Sequence, residues 1–181
     1  IGVDSFGPRN LLASVLTCVL LAIALALRRL SPGLALIIAW AAAIVQMGFG
    51  RPPVAADIAI FAVLYATAAY GSRVTFWAGF GSSLVGAVVI TAYLFLIPDF
   101  AGGRLSIATL PLALAVLIAA GFALLLSWTA GALVRTALRA RENRKAQVRA
   151  ETEAVAEQER VRIARDMHDV VAHSLAVVIA Q

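Results

Sequence analysis

The sequence is poor in charge, in cysteine and in histidine. Charged residues fill 14% of its 181 positions, against an apolar share of 62%. Soluble domains usually hold about 25% charged and about 45–50% apolar residues. That shortfall excludes an ordinary water-soluble globule, and the apolar excess excludes a disordered chain. The one cysteine, Cys18, cannot form an internal disulfide, and a small side chain in an apolar run is its simplest role. Two histidines, His168 and His173, are five positions apart and do not share a helix face, so no metal site is expected. Glycine and proline are both missing between Ala132 and Gln181, so nothing there breaks a helix.

What charge there is sits at one end. Residues 1–134 hold 6 Lys/Arg and 3 Asp/Glu, whereas residues 135–181 hold 9 and 7. The pattern describes a membrane block followed by a charged, water-facing tail. A net charge of +5 invites a nucleic-acid reading. The basic residues, however, gather just after the last apolar run, where they set topology and meet anionic lipid headgroups. Direct nucleic-acid binding is therefore not expected. The chain starts at Ile1 rather than Met and stops at Gln181 inside an amphipathic pattern, which leads us to expect a fragment of a longer protein.

A membrane-crossing helix needs about 20 apolar residues. Five runs qualify, at roughly 10–27, 30–49, 54–71, 74–97 and 106–134. Short breaks separate them, such as Arg28-Arg29, Arg51-Pro52-Pro53 and Ser72-Arg73, so neighbouring helices should be antiparallel. Six basic residues from Arg135 to Arg149 follow the fifth run and place the tail in the cytoplasm. Arg28, Arg29 and Arg73 are then inside, and Arg9, Arg51 and Arg104 outside. Tyr70, Phe76, Trp77 and Trp128 fall near the inner interface, while Trp40 lies mid-span and should pack between helices. Asp57 sits about one turn from the edge of a span, which favours a headgroup-level residue over a buried functional carboxylate. Gly79/Ser83 and Ser82/Gly86 are small-xxx-small pairs that permit close helix contact. The outer loops are short, so a stimulus must arrive through the membrane, its interface or a small internal pocket.

From Arg135 onward Ala, Arg and Glu dominate, and opposite charges recur at helical spacing: Glu142 with Lys145, Glu159 with Arg162, Arg162 with Asp166, and Arg165 with Asp169. One long helix is expected. Val148 and Val155 are seven apart, and Ile163, Met167, Val170, Ser174 and Val177 continue at alternating steps of four and three. The step from Val155 to Ile163 is eight. Two short seams joined by a phase break suit a dimeric coiled-coil linker feeding a helical bundle. A single amphipathic helix packed on its own chain fits the periodicity equally well.

Within that helix Arg165, Asp169 and His173 form one polar stripe at i, i+4 spacing, with His168 beside it. A neutral imidazole can attack a phosphoryl group through one ring nitrogen. A neighbouring carboxylate can accept the N–H of the other nitrogen and fix the tautomer. Surface histidines on a charged helix would show the same spacing.

The run Glu159-Arg160-Val161-Arg162-Ile163-Ala164-Arg165-Asp166-Met167-His168-Asp169-Val170-Val171-Ala172-His173-Ser174-Leu175 resembles the phosphoacceptor box of bacterial sensor histidine kinases of two-component systems. It is similar to the nitrate-sensor and membrane-fluidity-sensor class, and the layout of short-looped spans resembles actinobacterial members. The resemblance implies that His168 is the autophosphorylated residue and Asp169 its acid/base. It implies that His173, where many relatives have Gln, positions water for dephosphorylating a response regulator. Arg162 and Arg165 would lend supporting electrostatics. It further implies ATP and Mg²⁺ held by a catalytic domain whose Asn-bearing and Gly-rich motifs are not among these residues. Homodimerisation through the cytoplasmic helix and a partner response regulator that binds DNA are implied as well.

The expected fold is all-α: a polytopic membrane helix bundle of about five spans, then a long cytoplasmic coiled-coil and dimerisation helix. The expected division is 1–134 sensor bundle in contact with membrane lipid, 135–158 linker, and 159–181 the start of the dimerisation and phosphoacceptor domain. The competing class is a small non-enzymatic membrane protein, a transporter or channel subunit with a cytoplasmic helix. It would need polar residues lining a path through the spans. Beyond Asp57 and scattered Ser/Thr the spans hold few.

Overall fold

A computed structural model describes the backbone of residues 8–96 and 107–179, with side chains for 11–96, 107–163 and 167. Among the described residues every regular element is helical. The order is α1 (Pro8–Leu27), α2 (Pro32–Gly48), a short 3₁₀ turn (Ala55–Asp57), α3 (Ile58–Tyr70), α4 (Arg73–Leu96) and α5 (Leu110–Ile179). These follow the five apolar runs. The third begins late, at Ile58, because residues 55–57 take up the 3₁₀ turn in front of it. The fifth begins at Leu110, past the 106 expected for it, with Pro111 in its first turn, where a missing N–H costs little.

The breaks have local causes. Pro32 opens α2 behind Ser31. Gly50 closes it with φ +66°, the left-handed position that favours glycine. Around it Arg51 N–H donates to the Gln46 carbonyl and Gly50 N–H to Met47, at 3.1 and 3.0 Å. That is the paired closure of a Schellman motif. Asp57 reaches back to accept the Val54 N–H at 2.8 Å, capping the turn that leads into α3.

The chain divides into two compact units, 1–136 and 137–181. In the first, α1 packs mainly on α2, and α3 on α4 and α2. Its core is built of small and branched residues, namely Ala24, Ala35, Leu36, Ala39, Val63 and Leu64. Small residues let the helices approach closely, as is usual where no water drives them together. Gly79 faces Thr67, and a Cβ on Gly79 would collide with the Thr67 hydroxyl. Buried hydroxyls bond to nearby carbonyls: Thr67 Oγ1 to Leu64 at 2.7 Å and Ser83 Oγ to Gly79 at 3.0 Å. Others tie helices together. Trp40 Nε1 donates to Ser82 Oγ at 3.0 Å, which confirms that Trp40 packs between helices. Ser127 Oγ donates to the Phe61 carbonyl at 2.6 Å.

The outside of this unit carries many large apolar side chains. Ile118, Phe122, Leu126 and Leu133 form an exposed stripe on α5, each at least 56% exposed. Leu11, Ile37, Val74 and Val88 add to this surface from the other helices. A soluble monomer rarely shows contiguous apolar patches of this extent, so the surface fits a lipid solvent. Among the described residues, α4 and the first part of α5 are long and apolar enough to cross a membrane, while Leu11–Leu27 of α1, α2 and Ala55–Tyr70 are shorter apolar stretches.

Candidate functional site

The candidate chemistry lies on the C-terminal part of α5. The helix runs unbroken to Ile179 because alanine and long charged residues favour helix and nothing interrupts them. Every side chain described in the second unit, from residue 137 to 163 and at 167, is exposed. Arg162 Nη2 meets Glu159 Oε1 at 2.6 Å, the expected i, i+3 pair. Arg160 pairs with Glu157 at 3.9 Å, a contact not anticipated although its spacing is helical. Glu142 and Lys145, expected to pair, make no ion pair; both are exposed, where pairing gains little over solvation. The expected partners Asp166 and Asp169 lie outside the residues whose side chains are described.

The seam residues Val148, Val155, Ile163 and Met167 are each at least 52% exposed. Over its described part the seam is therefore not packed on its own chain. It is a row of apolar side chains left open along a helix, the condition from which helices associate. The backbone at His168, Asp169 and His173 is helical, which places Asp169 and His173 four apart on one helix. The side chains of His168, Asp169, His173 and Arg165 are outside the described residues, so only Arg162 of the expected site has a described partner.

At the other end of the charged stretch, Arg135 lies within the first unit. Its guanidinium donates to the Ala68 carbonyl at 3.3 Å, in the last turn of α3, and lies 5.0 Å over the Phe76 ring. A cation at a helix C-terminus and on an aromatic face is favoured twice. Phe76, Phe80 and Trp128 cluster beside it, with Phe76 and Trp128 centroids 4.6 Å apart and Trp128 Nε1 donating to the Phe76 carbonyl at 3.1 Å. Neither arrangement was anticipated, because a sequence places aromatics along a helix but does not pair them across helices.

A family model described as Domain of unknown function (DUF7134) matches residues 3–138. The chain belongs to this DUF7134 family. A second model, described as Histidine kinase, matches residues 159–181 of the DUF7134 chain. The tail thus carries a segment of the histidine kinase family of two-component systems, whose members are dimeric and work with response regulators. No curated protein and no solved structure matches the chain. The two matched regions leave residues 139–158, all helical and exposed, between them.

Proposed function

We propose that the DUF7134 chain is the input and phosphoacceptor part of a membrane sensor histidine kinase, of the nitrate-sensor and membrane-fluidity-sensor class in its actinobacterial form. The observation that carries the proposal is the histidine-kinase match over residues 159–181, on an uninterrupted helix. In this reading residues 1–134 are a five-span sensor bundle in the plasma membrane, 135–158 a cytoplasmic linker helix, and 159–181 the start of the dimerisation domain. Two copies associate through the exposed seam of α5.

The chemistry follows from the residue types. One imidazole nitrogen of His168 attacks the γ-phosphorus of ATP, and the bond to the bridging oxygen of ADP breaks. Asp169 accepts the N–H of the other ring nitrogen, holding the attacking nitrogen deprotonated and offsetting the charge that develops. Arg162 and Arg165 contribute positive potential near the phosphoryl oxygens. The phosphoryl group then passes to a carboxylate oxygen of an Asp on a response regulator, in this proposal one that binds DNA. His173, one turn after Asp169, orients water for the reverse task of hydrolysing that acyl phosphate. Among the described residues no three His, Cys, Asp or Glu side chains come together as metal ligands. ATP and Mg²⁺ are assigned here to a separate ATP-binding domain, and the ion neutralises phosphate charge when bound.

The test is phosphate incorporation from labelled ATP into the chain joined to, or mixed with, such a domain. His168→Gln abolishes incorporation, and Asp169→Asn lowers it by about a hundredfold, within the range of acid–base contributions. His173→Ala leaves labelling in place and slows regulator dephosphorylation. Label retained in His168→Gln rejects the assignment.

A further inference from the structure

A cavity of about 270 Å³ lies between α2, α3, α4 and the first part of α5. Its walls are mostly apolar, from residues such as Leu36, Leu64, Val89 and Leu124. Trp40 and Ser82, already joined to each other, line it part-way along. The remaining polar groups gather at one end, where Gln46, Asp57 and Tyr93 meet. From Leu36 to Gln46 helix α2 rises about 15 Å, and a volume of about 270 Å³ spread over that length makes a narrow cavity.

The spare valences at the polar end are all of one kind. Gln46, itself buried, donates both N–H bonds of Nε2, to the Pro52 carbonyl and to Asp57 Oδ2, each at 3.0 Å. Both partners are acceptors, which dictates how the amide is turned. Its carbonyl oxygen remains. Asp57 Oδ2 accepts from Gln46 and from the Val54 N–H, which leaves Oδ1. Tyr93 has spent its O–H on the Arg51 carbonyl at 2.8 Å and retains oxygen lone pairs. Arg51 does not line this cavity: its Nη2 donates to Ser14 Oγ on α1 at 2.9 Å, and its buried Nε, which has no partner among the described residues, belongs with a second cavity that Arg51 lines together with Gln46. An apolar chamber closed at one end by acceptors, one of them a carboxylate, is completed by a donor.

We infer that this cavity binds a single-chain amphiphile dissolved in the bilayer, with an O–H or N–H head and an unbranched apolar tail. The head is held by Gln46, Asp57 and Tyr93, and the tail lies past Trp40 toward Leu36 and Leu124. An anionic head is disfavoured because it brings acceptors, and negative charge, against acceptors. The site involves the bundle alone, and its test is independent of phosphoryl transfer.

Trp40 lines the cavity and serves as the reporter, since bromine quenches indole fluorescence on contact. The 181-residue chain in lipid nanodiscs is titrated with ω-bromoundecanol, ω-bromoundecanoate and bromoundecane. Bromoundecanol gives saturable quenching that disappears in Trp40→Phe. Bromoundecanoate and bromoundecane bind at least about tenfold more weakly, the factor expected for one hydrogen bond made by a charged group. Gln46→Leu and Tyr93→Phe each weaken bromoundecanol severalfold. Gly86→Leu abolishes its binding, because Gly86 lines the cavity opposite Leu124 and its side chain would fill the space. Thermal melting by circular dichroism reports whether each variant is folded, and Tyr93→Phe carries the test if Gly86→Leu is not. Carboxylate or headless probe binding as tightly as the alcohol overturns the inference. So does quenching that fails to saturate.

Discussion

Glycine at position 131 is required by space and not by backbone angle. It lies on α5 against α3, and a Cβ there would meet the Tyr65 carbonyl oxygen and the Ala68 methyl. Backbone atoms cannot step aside as a flexible side chain can, so α5 itself would have to move away from α3. That movement would loosen the neighbouring Ser127 to Phe61 hydrogen bond and the Trp128 cluster. Gly131→Ala is expected to destabilise the bundle by about 1–3 kcal/mol, the usual cost of overpacking. Gly81, on α4, has open space where its Cβ would be. Gly81→Ala is therefore expected to stay within about 0.5 kcal/mol of the parent. Thermal unfolding of both variants in the same detergent checks the contrast, and equal melting temperatures would refute it. The close approach at Gly79 was legible from its spacing with Ser83, whereas Ser82 and Gly86, at the same spacing, line the cavity. Gly131 was not legible, because its need arises from Tyr65, a residue far away in the chain.

At the scale of the element, α5 is the feature most completely legible. The absence of Gly and Pro after Ala132, the helix-forming composition and the i, i+3 charges all favour the same state, and one helix results. The eight-residue step between Val155 and Ile163 is carried without any break in the helix. On a continuous helix, eight residues advance by about 80° beyond two full turns, while seven fall short of them by about 20°. The seam before Val155 and the seam after Ile163 thus point in different directions, and a partner helix cannot pack on both without a local change of winding. Two packings that each satisfy one seam would differ by one residue in register, which is the kind of two-state element that a switching linker requires. Inserting one residue beside Gln158 rotates the later seam by about a further 100°, to about the opposite face of the helix, so that a one-residue shift no longer exchanges the two packings. In the kinase reading such an insertion locks or scrambles output, measured as autophosphorylation with and without stimulus. Signalling that responds as in the parent would reject the phase break as a switch. The ion pairs were less legible than the helix, since Glu157–Arg160 forms and Glu142–Lys145 does not, and exposed pairs differ too little in energy to be ranked by spacing.

For the whole molecule, the composition boundary near residue 134 is close to where the two units divide, at 136. It is legible because hydrocarbon and water select different side chains over long stretches. The cavity is not legible, since its lining comes from four helices and its polar end depends on which way one amide is turned. Orientation rests on arginine placement: Arg28, Arg29 and Arg73 on one side balance Arg9, Arg51 and Arg104 on the other, and the six basic residues after the fifth run decide it. In the five-span reading this makes residue 54 extracellular and residues 30 and 147 cytoplasmic. Cys18 is exposed, so it is first replaced by alanine, and single cysteines are then placed at Leu30, Val54 and Gln147, which are exposed too. A membrane-impermeant maleimide added to intact cells is expected to label the Val54→Cys variant alone, and to label Leu30→Cys and Gln147→Cys only after lysis. The reverse pattern would mean that the tail's arginines do not set the topology. Labelling of both loop positions in intact cells would mean that α2 does not cross. At seventeen residues α2 is about 25 Å long, slightly short of a hydrocarbon core of about 30 Å. In the five-span reading its crossing therefore depends on its neighbours: Gln46 is buried in the bundle and donates both its N–H groups to Asp57 and Pro52, so its amide does not face lipid.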